Sequence, residues 1–215
     1  MKDLTIKQAS EIYTLLKSPE VLPDAFIRAP ELYPSQIIES EVFRLDLRKY
    51  SQQLQSVLLA RTNDEKKKSF EGLAKLLFDG ISFLSCKYTD LRTASGEIDI
   101  VVQYHGWKKL TVFDEFGRYF LVECKNWKSS VGAKQVRDFI GKLQKAKLRL
   151  GVLFARNGIS GAHGGADALR EIHAAFDAHR LYILVISEED LKAIEHGTNF
   201  YLILDRKIDN LRFDL

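Results

Sequence analysis

Cysteine is scarce in this sequence: 215 residues hold 2, Cys86 and Cys124, and they form no CxxC pair. That excludes a disulfide scaffold and a zinc knuckle, both of which need closely spaced thiols. Proline is nearly as rare. All 4 prolines (Pro19, Pro23, Pro30 and Pro34) fall between Ser18 and Pro34, so that stretch cannot be one continuous helix. No apolar run approaches the roughly 20 residues that a membrane span needs. The opening MKDLTIKQASEI also lacks the apolar core of a signal peptide. The expectation is a protein of the reducing cytoplasm, with no membrane partner. A hydrophobic fraction of 46% against 28% charged excludes a disordered tail or a low-complexity array and leaves enough apolar residues for one substantial core.

Net charge is only +3, but it is unevenly spread. Between Lys125 and Leu150 lie eight bases (Lys125, Lys128, Lys134, Arg137, Lys142, Lys145, Lys147, Arg149) and one acid, Asp138, so this segment carries +7 and the rest of the chain is net acidic. Lys66, Lys67 and Lys68 form a second cluster. A basic helix can simply be a solvated face. Beside a catalytic centre, the same charge suits a polyanion, because neutralising phosphates releases counterions.

The patterning divides the chain. Residues 1–62 read as helices joined by proline-marked turns, with helical spacing over Leu4–Leu16 and Ser35–Ala60, and the polar run Arg61–Lys68 reads as a junction. In residues 63–215 helices and strands alternate. Ser69–Phe78 is an amphipathic helix; Glu97–Tyr104, Arg118–Lys125, Leu150–Ala155 and Leu181–Ile186 are strands; the basic segment, Ala166–Ala178 and Glu188–Glu195 are helices. Ser187-Glu-Glu-Asp is a helix-start signal for the last of these. HGWKKLTVFDEFG, between the first two strands, reads as a long connection or a hairpin excursion. The order implies an α/β fold with a mixed sheet.

Strand parity then isolates a chemical constellation. In RYFLVECK, Phe120, Val122 and Cys124 point one way, and Glu123 and Lys125 point the other. In GEIDIVV, Ile98, Ile100 and Val102 share a face, with Glu97 and Asp99 opposite. An acid and a base at the end of an apolar strand need partners. If the two strands pair, Asp99, Glu123 and Lys125 converge at one sheet edge. Two carboxylates with a backbone carbonyl form a hard oxygen site suited to Mg²⁺ or Mn²⁺, and a lysine beside it can orient water and offset charge on phosphate. The plain alternative is a structural Glu–Lys pair.

The ordered set FEG (70–72), GEIDIVV, LVECKNW and QVRDFIGKL resembles the PD-(D/E)xK nuclease superfamily, and within it the branch of Mrr-type restriction endonucleases and archaeal Holliday-junction resolvases. The resemblance runs from about residue 64 to about residue 190. It implies a restriction endonuclease-like α/β core with a central mixed β-sheet flanked by helices, and the helical N-terminal region read for residues 1–62 precedes that core without being explained by the resemblance. It also implies that Asp99 and Glu123 are ligands of Mg²⁺ or Mn²⁺, that the Cys124 backbone carbonyl is a further ligand, and that Lys125 is the catalytic lysine. Glu71 matches the glutamate of the family's first helix, and Gln135 a glutamine that hydrogen-bonds near the site. Two departures stand out: Ile98 replaces the eponymous proline, and 23 residues separate Asp99 from Glu123. Glu97 competes with Asp99 on the same strand face, and Glu65 competes with Glu71.

Lys128, Lys134, Arg137 and Lys142 are candidate phosphate contacts, and Trp127 and Trp107 candidate stacking groups, set against ordinary aromatic packing. A Cys124 nucleophile is disfavoured because parity sends the thiol to the apolar face. Among the 5 histidines there is no HExxH, and the glycine cluster 157–165 lacks the Lys-Ser/Thr of a phosphate loop. The expected activity is metal-dependent hydrolysis of DNA phosphodiester bonds in restriction, phage defence or repair. The alternatives are a catalytically silent nucleic-acid-binding module of the same fold and an RNA-directed nuclease. Nucleases of this fold often dimerise, since cutting both strands takes two sites. Residues 1–62 are accordingly read as a specificity element, a homodimerisation arm or a dock for a partner subunit.

Overall fold

A computed structural model describes residues 42–93, 96–106, 113–161 and 168–215. The chain divides into two compact units, Met1–Glu41 and Val42–Leu215, and all the described residues belong to the second. The expected helix over Leu4–Leu16, the proline-marked turns, the first residues of the expected helix Ser35–Ala60, and Trp107 lie outside the described residues. So do residues 162–167, which include the last part of the glycine cluster.

The second unit opens with α1 (Leu47–Leu59) and α2 (Asn63–Asp79). The spacing that predicts one helix over Ser35–Ala60 is interrupted before α1. Phe43 instead forms a bridge with Ile81, and the Arg44 N–H donates to the Gly80 carbonyl at 2.9 Å. Asp46 restarts the helix by accepting from the Arg48 and Lys49 N–H groups. The polar run read as a junction is largely α2 itself. Thr62 and Glu65 form a reciprocal capping box, Glu65 N–H to Thr62 Oγ1 at 3.2 Å and Thr62 N–H to Glu65 Oε2 at 3.0 Å, so the helix starts at Asn63. Glu65, the rival of Glu71, is therefore a capping side chain.

The sheet has five strands in sequence order: β1 (Leu84–Thr93), β2 (Gly96–Tyr104), β3 (Tyr119–Lys125), β4 (Leu150–Ala155) and β5 (Tyr182–Ile186). β1, β2 and β3 pair antiparallel, and β3, β4 and β5 pair parallel, which makes the sheet mixed as expected. Helices α3 (Ala133–Ala146) and α4 (Ala168–His179) make the two parallel crossovers, and α5 (Glu188–Glu195) and α6 (Phe200–Phe213) complete the unit. Among the described helices, none is long and apolar enough to cross a membrane.

Side-chain parity sorts the helices onto the two faces. Phe154 points to α2 and α6, where its ring meets Phe70, Phe78 and Phe200, and Phe78 also packs edge-on against Phe120 at 5.4 Å. Gly151 points to the opposite face, where a Cβ would stand 2.7 Å from the Phe139 ring and 2.8 Å from Leu143 Cδ1. Only glycine lets α3 seat this close to β4. The β3–β4 register puts Glu123 beside Leu153, and therefore on the α3 face. The connection after β2 is partly described: Phe113 is buried and stacks on Phe120 at 5.5 Å, so this end of it docks on the core.

Candidate active site

The β2–β3 ladder ends at Ile100–Val122. Beyond that pair the Cys124 N–H donates to a side chain, Asp99 Oδ2, at 2.7 Å. The backbone itself thus fixes the Asp99 carboxylate at the point where the ladder stops. On β3, alternation puts Cys124 toward the α2 face and Glu123 and Lys125 toward α3. Glu123 Oε1 accepts from Lys125 Nζ at 2.6 Å, and Glu123 Oε2 from Lys142 Nζ at 2.7 Å. Asp99, Glu123 and Glu71 are each buried, with relative exposures of 7%, 6% and 7%.

Three buried acids within electrostatic reach of one another are unfavourable without a counter-charge. Burial, followed by the charges of Asp99 and Asp90, pushes the Glu71 carboxyl up to about 7. Burial and then the Glu123 charge also raise Asp99, against the Cys124 N–H that lowers it. For Lys125, burial pulls the ammonium down. The charge and hydrogen bond of Glu123, with Asp99 behind them, outweigh it, and the net shift is upward, so Lys125 is an ammonium at neutral pH. Burial lifts the Cys124 thiol far above its usual range, which makes it a poor nucleophile, as parity predicts.

The donor set fits a hard divalent cation. It offers carboxylate oxygens, and Glu71 Oε1 is buried with no hydrogen-bond partner, while Lys67 Nζ stands 3.8 Å away, beyond hydrogen-bond reach. Asp99, Glu123 and the Cys124 carbonyl are the groups that could hold such an ion, with Glu71 near them. The fit is of chemistry, not of closed geometry: among the described residues no three acid, histidine or cysteine side chains already gather into a ligand cage. Both Glu123 oxygens are held by lysines.

Other sequence-predicted residues sort clearly. Glu97, the rival of Asp99, is exposed and paired with Lys67 at the rim. Lys142, expected on phosphate, is engaged with Glu123. Arg137 pairs with Glu171 of α4 at 2.7 Å, whereas Lys128 and Lys134 are exposed. Gln135 sits in the first turn of α3, half-buried, with Oε1 folded toward Gly132. Trp127 is 40% exposed, and Lys125 Nζ lies 5.6 Å from the centre of its ring.

Sequence reasoning missed four neighbours. Lys67 bridges Asp90 and Glu97, with Asp90 Oδ1 at 2.6 Å, and a lysine four residues before a helix glutamate was the available signal. Asp90 holds a left-handed φ of 49°, uncommon for a non-glycine residue. Asn126, directly after Lys125, is buried and donates to the Val57 carbonyl at 3.1 Å. Arg156 extends β4, donating its N–H to the Lys125 carbonyl at 3.2 Å and its Nε to Glu188 at 3.0 Å. Together these three bonds tie the end of β3 to α1 and α5.

Of the cavities on the described surface, two bear on the buried acids' surroundings. The larger, about 730 Å³, lies between α1 and α2 and includes none of Glu71, Asp99, Glu123 or Lys125 in its lining. The smaller, about 210 Å³, is lined by Thr93, Gly96, Ile98, Lys142, Lys145 and Ala146 and adjoins the acids through Lys142.

The family model described as restriction endonuclease (Mrr_cat) matches residues 63–185, which span α2 to the penultimate residue of β5 and include every member of the buried cluster. No curated protein matches the chain. The match covers more than half of the 215 residues and coincides with a mixed sheet whose second and third strands part at an acid–lysine centre, so the chain belongs to the Mrr_cat restriction endonuclease family.

Proposed function

We propose that the chain is a metal-dependent endonuclease that hydrolyses DNA phosphodiester bonds, with Mg²⁺ or Mn²⁺ as cofactor, in restriction, phage defence or repair. The observation that carries this reading is the convergence of Asp99, Glu123 and Lys125 with the buried Glu71, whose Oε1 accepts no hydrogen bond, in a chain of the restriction endonuclease family. Asp99, Glu123 and the Cys124 carbonyl would hold the cation, with Glu71 reaching it directly or through water. A divalent cation bound there would supply Lewis acidity toward a phosphoryl oxygen and a water.

The chain's own groups do the rest. Lys125, as an ammonium, is a donor rather than a base: it orients the attacking water and offsets the charge that builds on the phosphate oxygens. Lys128 and Lys134 take flanking phosphates, Gln135 hydrogen-bonds the substrate backbone, and the exposed Trp127 offers a ring to an unstacked base. The lysine caps on both Glu123 oxygens are the observation that favours the alternative, a silent nucleic-acid-binding module.

A substrate panel tests the proposal: supercoiled, linear, single-stranded and four-way-junction DNA with a structured RNA, each in Mg²⁺, Mn²⁺ or EDTA. Cation-dependent cutting of a DNA form is expected. Binding of DNA without cutting in any cation supports the silent module, and cutting of RNA alone replaces DNA as the substrate.

A further inference from the structure

We propose that Lys142 is a built-in counter-ion of Glu123 that a divalent cation must displace, so that this lysine sets the cation affinity of the site. The inference rests on the metal-dependent reading above and goes beyond it, since it concerns what occupies the carboxylate before the cation arrives.

Glu123 has two ammonium partners of different kinds. Lys125 is on the same strand face two residues away, so its 2.6 Å contact with Oε1 is local to β3. Lys142 comes from another element and reaches Oε2 at 2.7 Å, with its side chain only 21% exposed. Its helix is packed closely on the sheet, with Phe139 and Leu143 of α3 seated against Gly151 at distances that would not admit a Cβ. What can move is the four-carbon stem. The cavity of about 210 Å³ gives it somewhere to go, lined by Lys142 itself together with Lys145, Thr93 and Gly96.

An ammonium satisfies a buried carboxylate without demanding coordination geometry, which leaves the cation-free site paired. A hard cation needs carboxylate oxygens, and Oε2 is held by the more displaceable of the two lysines. The exchange breaks one ion pair and forms a ligand bond, and the released ammonium remains in the side cavity. No proton or electron is transferred. Because the lysine and the cation compete for one oxygen, removing the lysine's charge must strengthen cation binding. A lysine that merely propped up Glu123 would do the opposite on removal.

Titration calorimetry of Mn²⁺ into the full chain without DNA distinguishes these roles. The wild type would be run beside Lys142→Met, Lys142→Gln, Lys142→Arg and Asp99→Asn, with a melting curve for each. Lys142→Met and Lys142→Gln are expected to bind Mn²⁺ about tenfold or more tightly than wild type, from the loss of one positive charge beside the site. Lys142→Arg keeps the charge and is expected to stay within about threefold of wild type. Unchanged or weaker binding in both neutral variants, with wild-type binding intact and abolished by Asp99→Asn, overturns the inference and leaves the metal reading standing. No Mn²⁺ uptake by any variant or by wild type overturns the metal reading and the inference together. The two neutral replacements differ in shape, so one misfolded variant does not decide the outcome.

Discussion

Glu71 is held where a carboxylate is least comfortable, buried on α2 with an oxygen that accepts no hydrogen bond and with Asp99 and Asp90 acting on it. That discomfort can be measured without a substrate. A carboxyl raised from 4.5 to about 7 binds more protons in the folded than in the unfolded chain. Its contribution to stability is therefore fully present below the unfolded value and is lost as pH rises through the folded one. In EDTA, Glu71 is expected to cost on the order of 2 kcal/mol between acidic and mildly alkaline pH. Glu71→Gln removes that term, so the variant should gain on wild type steadily from pH 5 to pH 8. Denaturant titrations at the two pH values check it, and a Glu71→Gln advantage that does not grow with pH contradicts it. The reading of Glu123, Lys125 and Cys124 needed only strand parity, a property of two successive peptides. Lys142 was beyond it, because its contact with Glu123 depends on how a helix crosses a sheet.

At the scale of elements, the site depends on how closely α3 lies on β4. Gly151→Ala puts a methyl group into the Phe139 ring and Leu143, both buried, and neither can yield without moving the helix. Overpacking of this kind costs about 1–3 kcal/mol. Urea midpoints would show that loss, and a variant as stable as wild type would mean that α3 is not pinned there. The elements legible in the sequence were those with a strong period. β2, β3, β4 and β5 are runs of β-branched and aromatic residues, α3 carries Val136, Phe139 and Leu143 on one face, and α5 begins at its Ser187 signal. β1 was not legible: it is an edge strand, mostly exposed, bulged between Cys86 and Tyr88 and broken in backbone geometry at Asp90, so no alternation marks it. The start of α2 was misread although Thr62-Asn-Asp-Glu65 spells a capping box, because the lysines after it look like a linker. α6 was not read from the sequence, although Asn199 caps it by accepting from the Tyr201 N–H at 2.8 Å.

Over the whole molecule, the basic segment is not a uniform patch. Lys125 and Lys142 are spent on Glu123, Arg137 on Glu171, and Arg149 donates to the Glu115 carbonyl at 3.2 Å. Lys128 and Lys134 remain exposed. If they take phosphates, replacing each with Ala lowers the slope of log affinity against log salt by about one, while Arg137→Ala changes it less. Anisotropy with labelled duplex in EDTA measures this, and equal slopes for all three variants would place the polyanion elsewhere. Catalysis itself is tested on plasmid. Supercoiled plasmid is incubated with wild type, Lys125→Ala and Asp99→Ala, in Mg²⁺, Mn²⁺ or EDTA. Nicked or linear product is expected with wild type and cation only, with a loss of about 10²-fold or more in each variant. Cutting that persists in Lys125→Ala and Asp99→Ala, or that ignores EDTA, would contradict it.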